Sequence, residues 1–269
     1  MQTKQKRQVF KGIIMIKIYN TPYGDVHIPV GSPIITVRTS GGFDSGLLLY
    51  LVAQTCAELN PSAVIQPITV VRTNQDDTPN WHRVDNRPIV DKIVEWVQTQ
   101  VPTVNVKPKQ WTDAIEWWTN GNVSYTDAQR NLVKQNYRAL TEDDNADYVC
   151  SIHDFNGVTK NPPVPMTINN MHQHREIKRD VNDKNAPAIA ENSCTVVHNK
   201  DGRDGRFVEP FRNADKRVVM WLSNNLGILE TLDTLTRSCE GGREETDNWT
   251  KVCGTCWWCQ ERDWAKSAY

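Results

Sequence analysis

The sequence predicts an α/β fold with a parallel, doubly wound sheet. Apolar, β-branched runs of strand length alternate along the chain with longer runs of helical character. The strand-like runs are Pro33–Thr39, Val64–Val71, Thr103–Val106 and Ala146–Ile152. The helical runs are Gly46–Leu59, Pro88–Gln100, Thr126–Leu140 and, near the end of the chain, about Ala214–Asn225. Because this alternation favours parallel crossovers, we expect helices on both faces of the sheet.

The composition limits the classes of partner. The chain has 269 residues and a net charge of −1, so it lacks the basic field that attracts nucleic acid. No apolar run reaches the ~18 residues that span a membrane, and residues 1–14 lack the apolar core of a secretory signal. We therefore expect a cytoplasmic protein that binds a small molecule, with no membrane partner and no direct nucleic-acid partner.

Three regions are expected along the chain. Residues 1–14 are polar and basic and are interpreted as a flexible N-terminal arm. Residues 15–230 contain the alternating strands and helices and are interpreted as the main domain. Residues 231–269 contain a cluster of cysteines and are interpreted as a small C-terminal module.

The turn Ser40–Ser45 lies between the first predicted strand and the first predicted helix. Its two adjacent glycines let backbone N–H groups approach an anion, and the helix N-terminus adds partial positive charge. The hydroxyl groups of Ser40 and Ser45 are further donors. Its spacing is neither G-x-x-x-x-G-K-[ST] nor G-x-G-x-x-G. The turn therefore predicts a phosphate-binding loop, and the alternative is a glycine turn that only begins a helix.

Two other segments are expected beside this turn. Arg72–Asp76 and Ile152–Asn156 follow predicted strands, and the carboxyl ends of parallel strands meet at one edge of a sheet. Arg72 is interpreted either as a nucleotide contact or as an exposed arginine at a strand end. All three segments should face one crevice.

Four of the seven cysteines are grouped near the end of the chain, at Cys239, Cys253, Cys256 and Cys259. In a chain without a secretory signal this grouping favours a metal site over disulfides. Four thiolates predict a tetrahedral zinc site that stabilises a small tail. The alternatives are an iron–sulfur cluster, although Asp263 stands where a ferredoxin-like run has its next cysteine, and thiols without a ligand.

The run Ser40-Gly41-Gly42-Phe43-Asp44-Ser45 resembles the SGGxDS loop of the PP-loop ATP pyrophosphatases. These enzymes split ATP into AMP and pyrophosphate while they activate a substrate as its adenylate. The resemblance implies ATP and Mg²⁺ as cofactors. It also implies that the six loop residues bind the phosphates that leave as pyrophosphate, and that Asp44 orients Mg²⁺ or the loop itself.

The C-terminal part of the chain resembles the 7-cyano-7-deazaguanine synthases of the same superfamily. The matching segments are Glu209-Pro210-Phe211, Asp215-Lys216, Thr236-Arg237-Ser238-Cys239 and Cys253-Gly254-x-Cys256-x-x-Cys259-x-x-Arg262. These enzymes use ATP and ammonia to convert 7-carboxy-7-deazaguanine into a nitrile, and they carry a four-cysteine zinc site. The resemblance implies this ligase activity, a homodimer, and a product used for modified nucleosides such as queuosine or deazaguanine in DNA.

The same resemblance implies catalytic roles for Asp44, Ser45 and Lys216. Lys216 matches a lysine at the start of a helix, where its ammonium would neutralise charge that develops on the phosphates. The alternative for Lys216 is a solvated lysine at a helix start.

The segment Ser151–Gly157 departs from the family's tyrosine-containing pattern at the deazapurine site. Asp154 is still expected to bind the guanine-like edge of the substrate, because a carboxylate accepts hydrogen bonds from paired N–H donors. His153 is interpreted as a general base in the same site or as a packed polar residue. Several tryptophans could stack on a base or pack in the core, namely Trp111, Trp117, Trp118, Trp257 and Trp258.

Two rival functions remain at this stage. One is another PP-loop reaction, either tRNA thiolation or the reduction of phosphoadenylyl sulfate, although the tail cysteines are assigned to a metal and the net charge is −1. The other is a repurposed binding module that keeps the nucleotide loop and the zinc site without the native substrate site. ATP cleavage to AMP would exclude the second.

Overall fold

A computed structural model of the chain describes residues 15–73, 85–115, 131–133, 135, 152–163, 189–198, 207–239, 241, 244–248 and 250–269. The strands in this part are β1 (Ile16–Tyr19), β2 (Val26–Pro29), β3 (Ile34–Arg38), β4 (Val64–Thr73), β5 (Asn105–Val106), β6 (Gln110–Ile115), β7 (Ile152–Asn156), β8 (Val196–His198) and β9 (Phe207–Glu209). The helices are α1 (Phe43–Leu59), α2 (Arg87–Gln100), α3 (Lys216–Asn225), α4 (Leu229–Leu235) and α5 (Trp257–Ala268). Residues 131–133 and 135 are also helical.

Seven of these strands form one sheet in the order β5-β4-β3-β7-β9-β8, and β6 also pairs with β4. The pairs are parallel except for β8 and β9, which are antiparallel. In the centre of the sheet Ile34 of β3 lies opposite Val64 of β4 and Ile152 of β7. The predicted α/β class with a mostly parallel central sheet is therefore confirmed.

Helix α1 lies at the centre of the hydrophobic core. Residues Leu47–Ala53 are no more than 7% exposed, so the helix is buried on every side. Such burial requires an apolar surface all round, and the sequence LLLYLVA at these positions provides it. The backbone N–H of Asn60 donates to the carbonyl oxygen of Cys56 and ends the helix.

One face of the sheet packs against this core. Alternate strand residues belong to the same cluster of buried apolar side chains, namely Ile35, Val37, Ile65, Phe155 and Val208. Residues from α1, α2, α3 and α4 complete the cluster. Because side chains alternate between the two faces of a strand, the polar residues between these positions lie on the opposite face.

The ends of α2 and α3 carry residues that are typical of helix starts and stops. Pro88 lies in the first turn of α2, where its missing N–H costs no intrahelical hydrogen bond. The side chain of Asp215 caps α3 by accepting a hydrogen bond from the backbone N–H of Arg217. Gly227 follows α3 with a φ of 70°, a left-handed conformation that glycine adopts without strain.

The hairpin of β1 and β2 is a separate two-stranded sheet. Both side-chain and backbone contacts join it to the main body. The hydroxyl groups of Tyr19 and Thr55 of α1 are hydrogen-bonded at 3.1 Å. The backbone N–H of His27 donates to Thr195 Oγ1 at 2.8 Å. An isolated β-bridge pairs Asp25 with Ser193. These contacts hold the start of the described chain against α1 and the segment before β8.

The sequence predicted the central elements closely and the later ones less well. The predicted strand Ala146–Ile152 overlaps β7 only at Ile152, since β7 runs from Ile152 to Asn156. Residues 146–151 lie outside the described residues. Most of the predicted helix Thr126–Leu140, like the proposed arm 1–14, also lies outside them. Helices on both faces of the sheet therefore stay a prediction, as does the boundary near residue 230. Strands β1, β2, β6, β8 and β9 and helix α5 were not predicted.

Within the described residues, no helix has both the length and the apolar character needed to cross a membrane.

The central position of α1 predicts that replacing a buried leucine by alanine costs far more stability than replacing an exposed one. Leu48→Ala should lower the free energy of unfolding by about 2–5 kcal/mol, because a fully buried side chain leaves a cavity. Leu59→Ala, at a leucine that is 38% exposed on the same helix, should change it by only about 0.5 kcal/mol. Urea unfolding of both variants measures the difference, and equal losses would contradict the central position of α1.

Candidate functional site

The turn between β3 and α1 is closed by the side chain of Ser45. The backbone N–H of Ser40 donates to Ser45 Oγ at 3.1 Å, and Ser45 Oγ donates to the carbonyl oxygen of Gly42 at 2.9 Å. Gly41 has a φ of 84°, which a residue with a side chain rarely adopts. These bonds fold the turn tightly over the N-terminus of α1, where the first backbone N–H groups have no intrahelical acceptor.

Residues from distant parts of the chain surround the turn. The backbone N–H of Arg237 donates to the carbonyl oxygen of Gly41 at 2.8 Å, and the N–H of Phe43 donates to Ser238 Oγ at 3.2 Å. Asn86 Nδ2 donates to the carbonyl oxygen of Ser40 at 2.9 Å. The turn is thus held by the start of α2 and by the segment after α4.

Gly157, which follows β7, lies against the first turn of α1. A Cβ atom at this position would lie 3.1 Å from the carbonyl oxygen of Asp44, closer than side chains normally approach backbone. The glycine therefore lets the carboxyl end of β7 meet the turn directly. This proximity agrees with the prediction that Ile152–Asn156 ends near Ser40–Ser45.

Lys216, the first residue of α3, is buried in the protein and 1% exposed. Its ammonium donates to Asp44 Oδ2 at 2.9 Å and lies 3.3 Å from Glu261 Oε2 of α5. A solvated lysine at a helix start, the alternative considered from the sequence, is therefore wrong. The ammonium joins the first turn of α1 to the last helix of the chain.

The four tail cysteines come together as the sequence predicted. All four Sγ atoms lie within 4.8 Å of one another, in a cluster that could hold a metal ion. The Sγ atoms are 3.5 Å apart for Cys239 and Cys253 and 4.0 Å apart for Cys253 and Cys259. A tetrahedral zinc site with Zn–S bonds of ~2.3 Å has S···S edges of about 3.8 Å. The spacing of the thiols fits such an ion.

Backbone N–H groups also point at the sulfur atoms. Cys239 Sγ accepts from the N–H of Cys253 at 3.2 Å and from that of Gly241 at 3.4 Å, and Cys253 Sγ accepts from the N–H of Cys256 at 3.2 Å. A Cβ atom at Gly241 would lie only 2.7 Å from Cys253 Cβ, so the chain can pass there only as glycine. These hydrogen bonds and the close packing fix the positions of the sulfur atoms.

The hydrogen bonds within the cluster stabilise negative charge. Those from the thiols of Cys256 and Cys259 and from backbone N–H groups hold the pKa of Cys239 far below its ordinary value. The hydrogen bond to Cys239 in turn raises the pKa of Cys259 to about 12. A cluster that crowds several potential thiolates in this way favours a divalent cation that neutralises them together.

Asp154 is held on the polar face of the sheet by Arg38. The guanidinium donates from Nε to Oδ1 at 3.1 Å and from Nη2 to Oδ2 at 2.5 Å, and Thr36 Oγ1 donates to Oδ1 at 3.2 Å. Both carboxylate oxygens therefore already accept hydrogen bonds. The predicted contact of Asp154 with the edge of a substrate stays a prediction, and it would have to share Asp154 with Arg38.

His153 and Arg72 are placed on strands of the sheet, at positions that do not by themselves assign them a role. His153 lies opposite Ile35 near the start of β7, and its ring makes an edge contact with Phe155 with centroids 6.1 Å apart. Arg72 lies near the end of β4 and is paired with Ala114 of β6. Both stay candidates from the sequence alone. Trp117 and Trp118 lie outside the described residues.

A second polar cluster lies on the same face as Asp154. Glu209 is 4% exposed, and its carboxylate accepts from Asn156 Nδ2 at 2.9 Å and pairs with His198 Nε2 at 2.6 Å. Burial raises the pKa of Glu209, but His198, Arg212 and Asn156 lower it by more, so the net pKa lies below its ordinary value. This pairing stabilises the fold above the ordinary carboxyl pKa, and the contribution is lost as the pH falls through the lowered pKa.

Several residues around the turn were missed by sequence reasoning. Glu261 and Asn86 have no motif of their own, and only the folded chain brings them to Ser40–Ser45. Ser238 lies beside a metal-site cysteine in a segment that the family resemblance already marked. That adjacency was the one signal available. Outside this site, Cys56 of α1 is 0% exposed, and burial raises the pKa of its thiol to about 12.

A scan against protein-family models found no match to the chain, and a search of curated proteins found no significant match. The fold and the site therefore define the protein only by class. It is an α/β protein with a mostly parallel sheet and a C-terminal cluster of four cysteines that could bind a metal ion such as zinc.

The geometry of the thiols predicts one zinc ion per chain. Cys259→Ser should abolish zinc binding, because it removes a ligand from a four-thiolate site. Cys56→Ala changes a buried cysteine outside the cluster and should keep the full zinc content. Elemental analysis of the purified proteins measures this, and iron with visible absorption in the wild type would indicate the iron–sulfur alternative instead.

The contacts of Asp154 predict that it stabilises the fold. Asp154→Ala should lower the free energy of unfolding by about 3–5 kcal/mol, because it leaves the buried guanidinium of Arg38 without its main ion pair. Asp91→Ala removes an exposed carboxylate that pairs with Lys109 and should cost no more than about 1 kcal/mol. Chemical denaturation compares the two, and similar small losses would contradict the structural role of Asp154.

Proposed function

We propose that the chain is a PP-loop ATP pyrophosphatase that acts as a 7-cyano-7-deazaguanine synthase. One observation carries the proposal. The segments that resemble this family are far apart in sequence, yet Lys216, Arg237 and Ser238 all contact the turn Ser40–Ser45. Their meeting at one turn supports the view that they form one functional unit.

The turn has the features that a nucleotide phosphate requires. A Cβ atom at Gly42 would lie 3.3 Å from Ser238 Oγ and 3.5 Å from Ser40 Oγ, so both hydroxyl groups lie close to the glycine backbone of the turn. The glycine backbone, the nearby hydroxyl groups and the N-terminus of α1 provide donors and partial positive charge for an anion. These residues fit the β- and γ-phosphates of ATP.

The charged groups beside the turn fit a Mg²⁺ ion that accompanies the nucleotide. Asp44 offers a carboxylate, a hard oxygen ligand of the kind that Mg²⁺ prefers. Its side chain is 16% exposed, while that of Lys216 is 2% exposed. When bound, the ion would neutralise charge on the phosphates. The chain itself would supply Asp44 to hold it and Lys216 to add a fixed positive charge.

The reaction requires two activations of one carbon. The substrate carboxylate oxygen attacks the α-phosphorus of ATP, and pyrophosphate leaves. Ammonia then attacks the acyl carbon, loses a proton, and displaces AMP, which takes that oxygen with it. The amide oxygen attacks a second ATP and again displaces pyrophosphate. Loss of the second AMP, together with both N–H protons, leaves the nitrile.

In this scheme the chain mainly positions groups. The turn orients the leaving pyrophosphate, with Ser45 keeping the turn closed through its hydrogen bonds to Ser40 and Gly42. The four-cysteine cluster holds the segment that contains Arg237 and Ser238 against the turn. Zinc would then have a structural role and would take no part in the chemistry.

The test is a mass-spectrometric assay of the purified protein with ATP, Mg²⁺, ammonium and 7-carboxy-7-deazaguanine. AMP and the nitrile should form together. Asp44→Asn should slow AMP formation by about 10²-fold or more, because it removes the charge beside the phosphates. Asp91→Asn, on the exposed face of α2, should leave the rate unchanged.

Each other outcome of the assay identifies a rival. AMP without the nitrile would support another PP-loop reaction and overturn the deazaguanine substrate. Absence of both products, with zinc content and unfolding free energy intact, would support the repurposed binding module and overturn the enzymatic proposal.

A further inference from the structure

Among the described residues, the ammonium of Lys216 has two carboxylate partners that differ in access to water. The side chain of Glu261 is 0% exposed and that of Lys216 is 2% exposed, whereas that of Asp44 is 16% exposed. Glu261 lies on α5, two residues after the metal-site Cys259, so the cluster of cysteines fixes its position. Asp44 lies in the first turn of α1 at the edge of the phosphate-binding turn.

With two carboxylates beside it, the ammonium of Lys216 can lose one ion pair and keep the other. If Asp44 were the sole carboxylate, its departure toward another cation would leave Lys216 buried as an unpaired charge, which is strongly unfavourable. Glu261 removes this penalty, because it keeps a negative charge 3.3 Å from the ammonium. Asp44, which is the more exposed of the two carboxylates, is the one that can leave the ammonium for another cation.

We propose that Glu261 is a positioning residue that holds Lys216 in its ion pair while Asp44 turns from the ammonium to the Mg²⁺ ion that accompanies the nucleotide. The inference rests on the proposed nucleotide function of the turn. It assigns to the last helix a residue that acts on nucleotide binding through Lys216 and does not touch the nucleotide.

The pairing gives Glu261→Gln a specific signature. The glutamine keeps the size of the side chain and removes its charge. Of the two carboxylates that the structure describes beside Lys216, Asp44 alone then remains, so Mg²⁺ has to compete with a buried cation for it. The affinity for Mg²⁺ should fall about tenfold. The affinity for nucleotide without Mg²⁺ should stay equal or rise, because a negative charge near the phosphates has been removed.

The experiment uses the zinc-loaded full chain and α,β-methylene-ATP, which cannot be cleaved at the α–β position. Calorimetric titrations in EDTA and at a series of Mg²⁺ concentrations measure the two affinities separately. Asp263→Asn is the matched control, because it removes an exposed carboxylate from the same helix. It should behave like the wild type, while Glu261→Gln shows the loss for Mg²⁺ alone.

Two results would overturn the inference. Equal losses with and without Mg²⁺ would indicate that Glu261 only supports the fold, and a wild-type Mg²⁺ dependence would indicate that it does not act on Asp44. Failure of the wild type to bind the analogue under any condition would instead overturn the proposed nucleotide function.

A measurement on the wild type covers the case in which Glu261→Gln does not fold. Brief acetylation with acetic anhydride, read by mass spectrometry, should leave Lys216 protected with and without Mg²⁺ and the analogue, because Glu261 holds it in both states. The exposed Lys92 of α2 should react equally in both and serves as the reference. Increased labelling of Lys216 on binding would contradict the inference.

Discussion

The buried ammonium of Lys216 is the interaction on which the arrangement of the site depends. It joins Asp44 in the first turn of α1 to Glu261 in α5, and all three side chains are largely removed from water. Loss of either carboxylate changes the charge balance of a group that cannot be hydrated. The turn Ser40–Ser45 and the helix that follows the four-cysteine cluster are therefore joined electrostatically, although they lie near opposite ends of the described chain.

The backbone reinforces the same connection. Arg237 and Ser238 bond to the turn immediately before Cys239 enters the thiol cluster. A structural metal contributes its binding free energy to the folding of the residues that surround it. Ions held by the cysteines would thus stabilise the path of Arg237 and Ser238, and through them the shape of the turn. A four-cysteine site and a glycine turn that look like separate motifs in the sequence share one supporting segment.

Local features were predictable from the sequence, whereas pairings across the fold were not. The strand before Ser40, the helix after it and the approach of four cysteines follow from residue type and spacing. Strands β8 and β9 have three residues each and too little apolar pattern to be recognised. The pairing of Asp154 with Arg38 depends on the register of β3 and β7, and that of Lys216 with Glu261 depends on helix packing. Strand register and helix packing both depend on segments that are far apart in the sequence, so no single segment predicts them.

The segment Ile152–Gly157, which contains β7, contacts the turn Ser40–Ser45 through the backbone at Gly157. The carboxylate of Asp154 is engaged by Arg38, so a ligand that used it would have to replace a two-point ion pair. Gly157, by contrast, lies directly against Asp44, and its lack of a side chain permits this contact. A side chain at Gly157 would crowd the backbone of Asp44, while a change at Asp154 would first cost stability. Under the proposed function, the departure of this segment from the pattern of the 7-cyano-7-deazaguanine synthases therefore bears on the choice of substrate more than on the turn that would hold the phosphates.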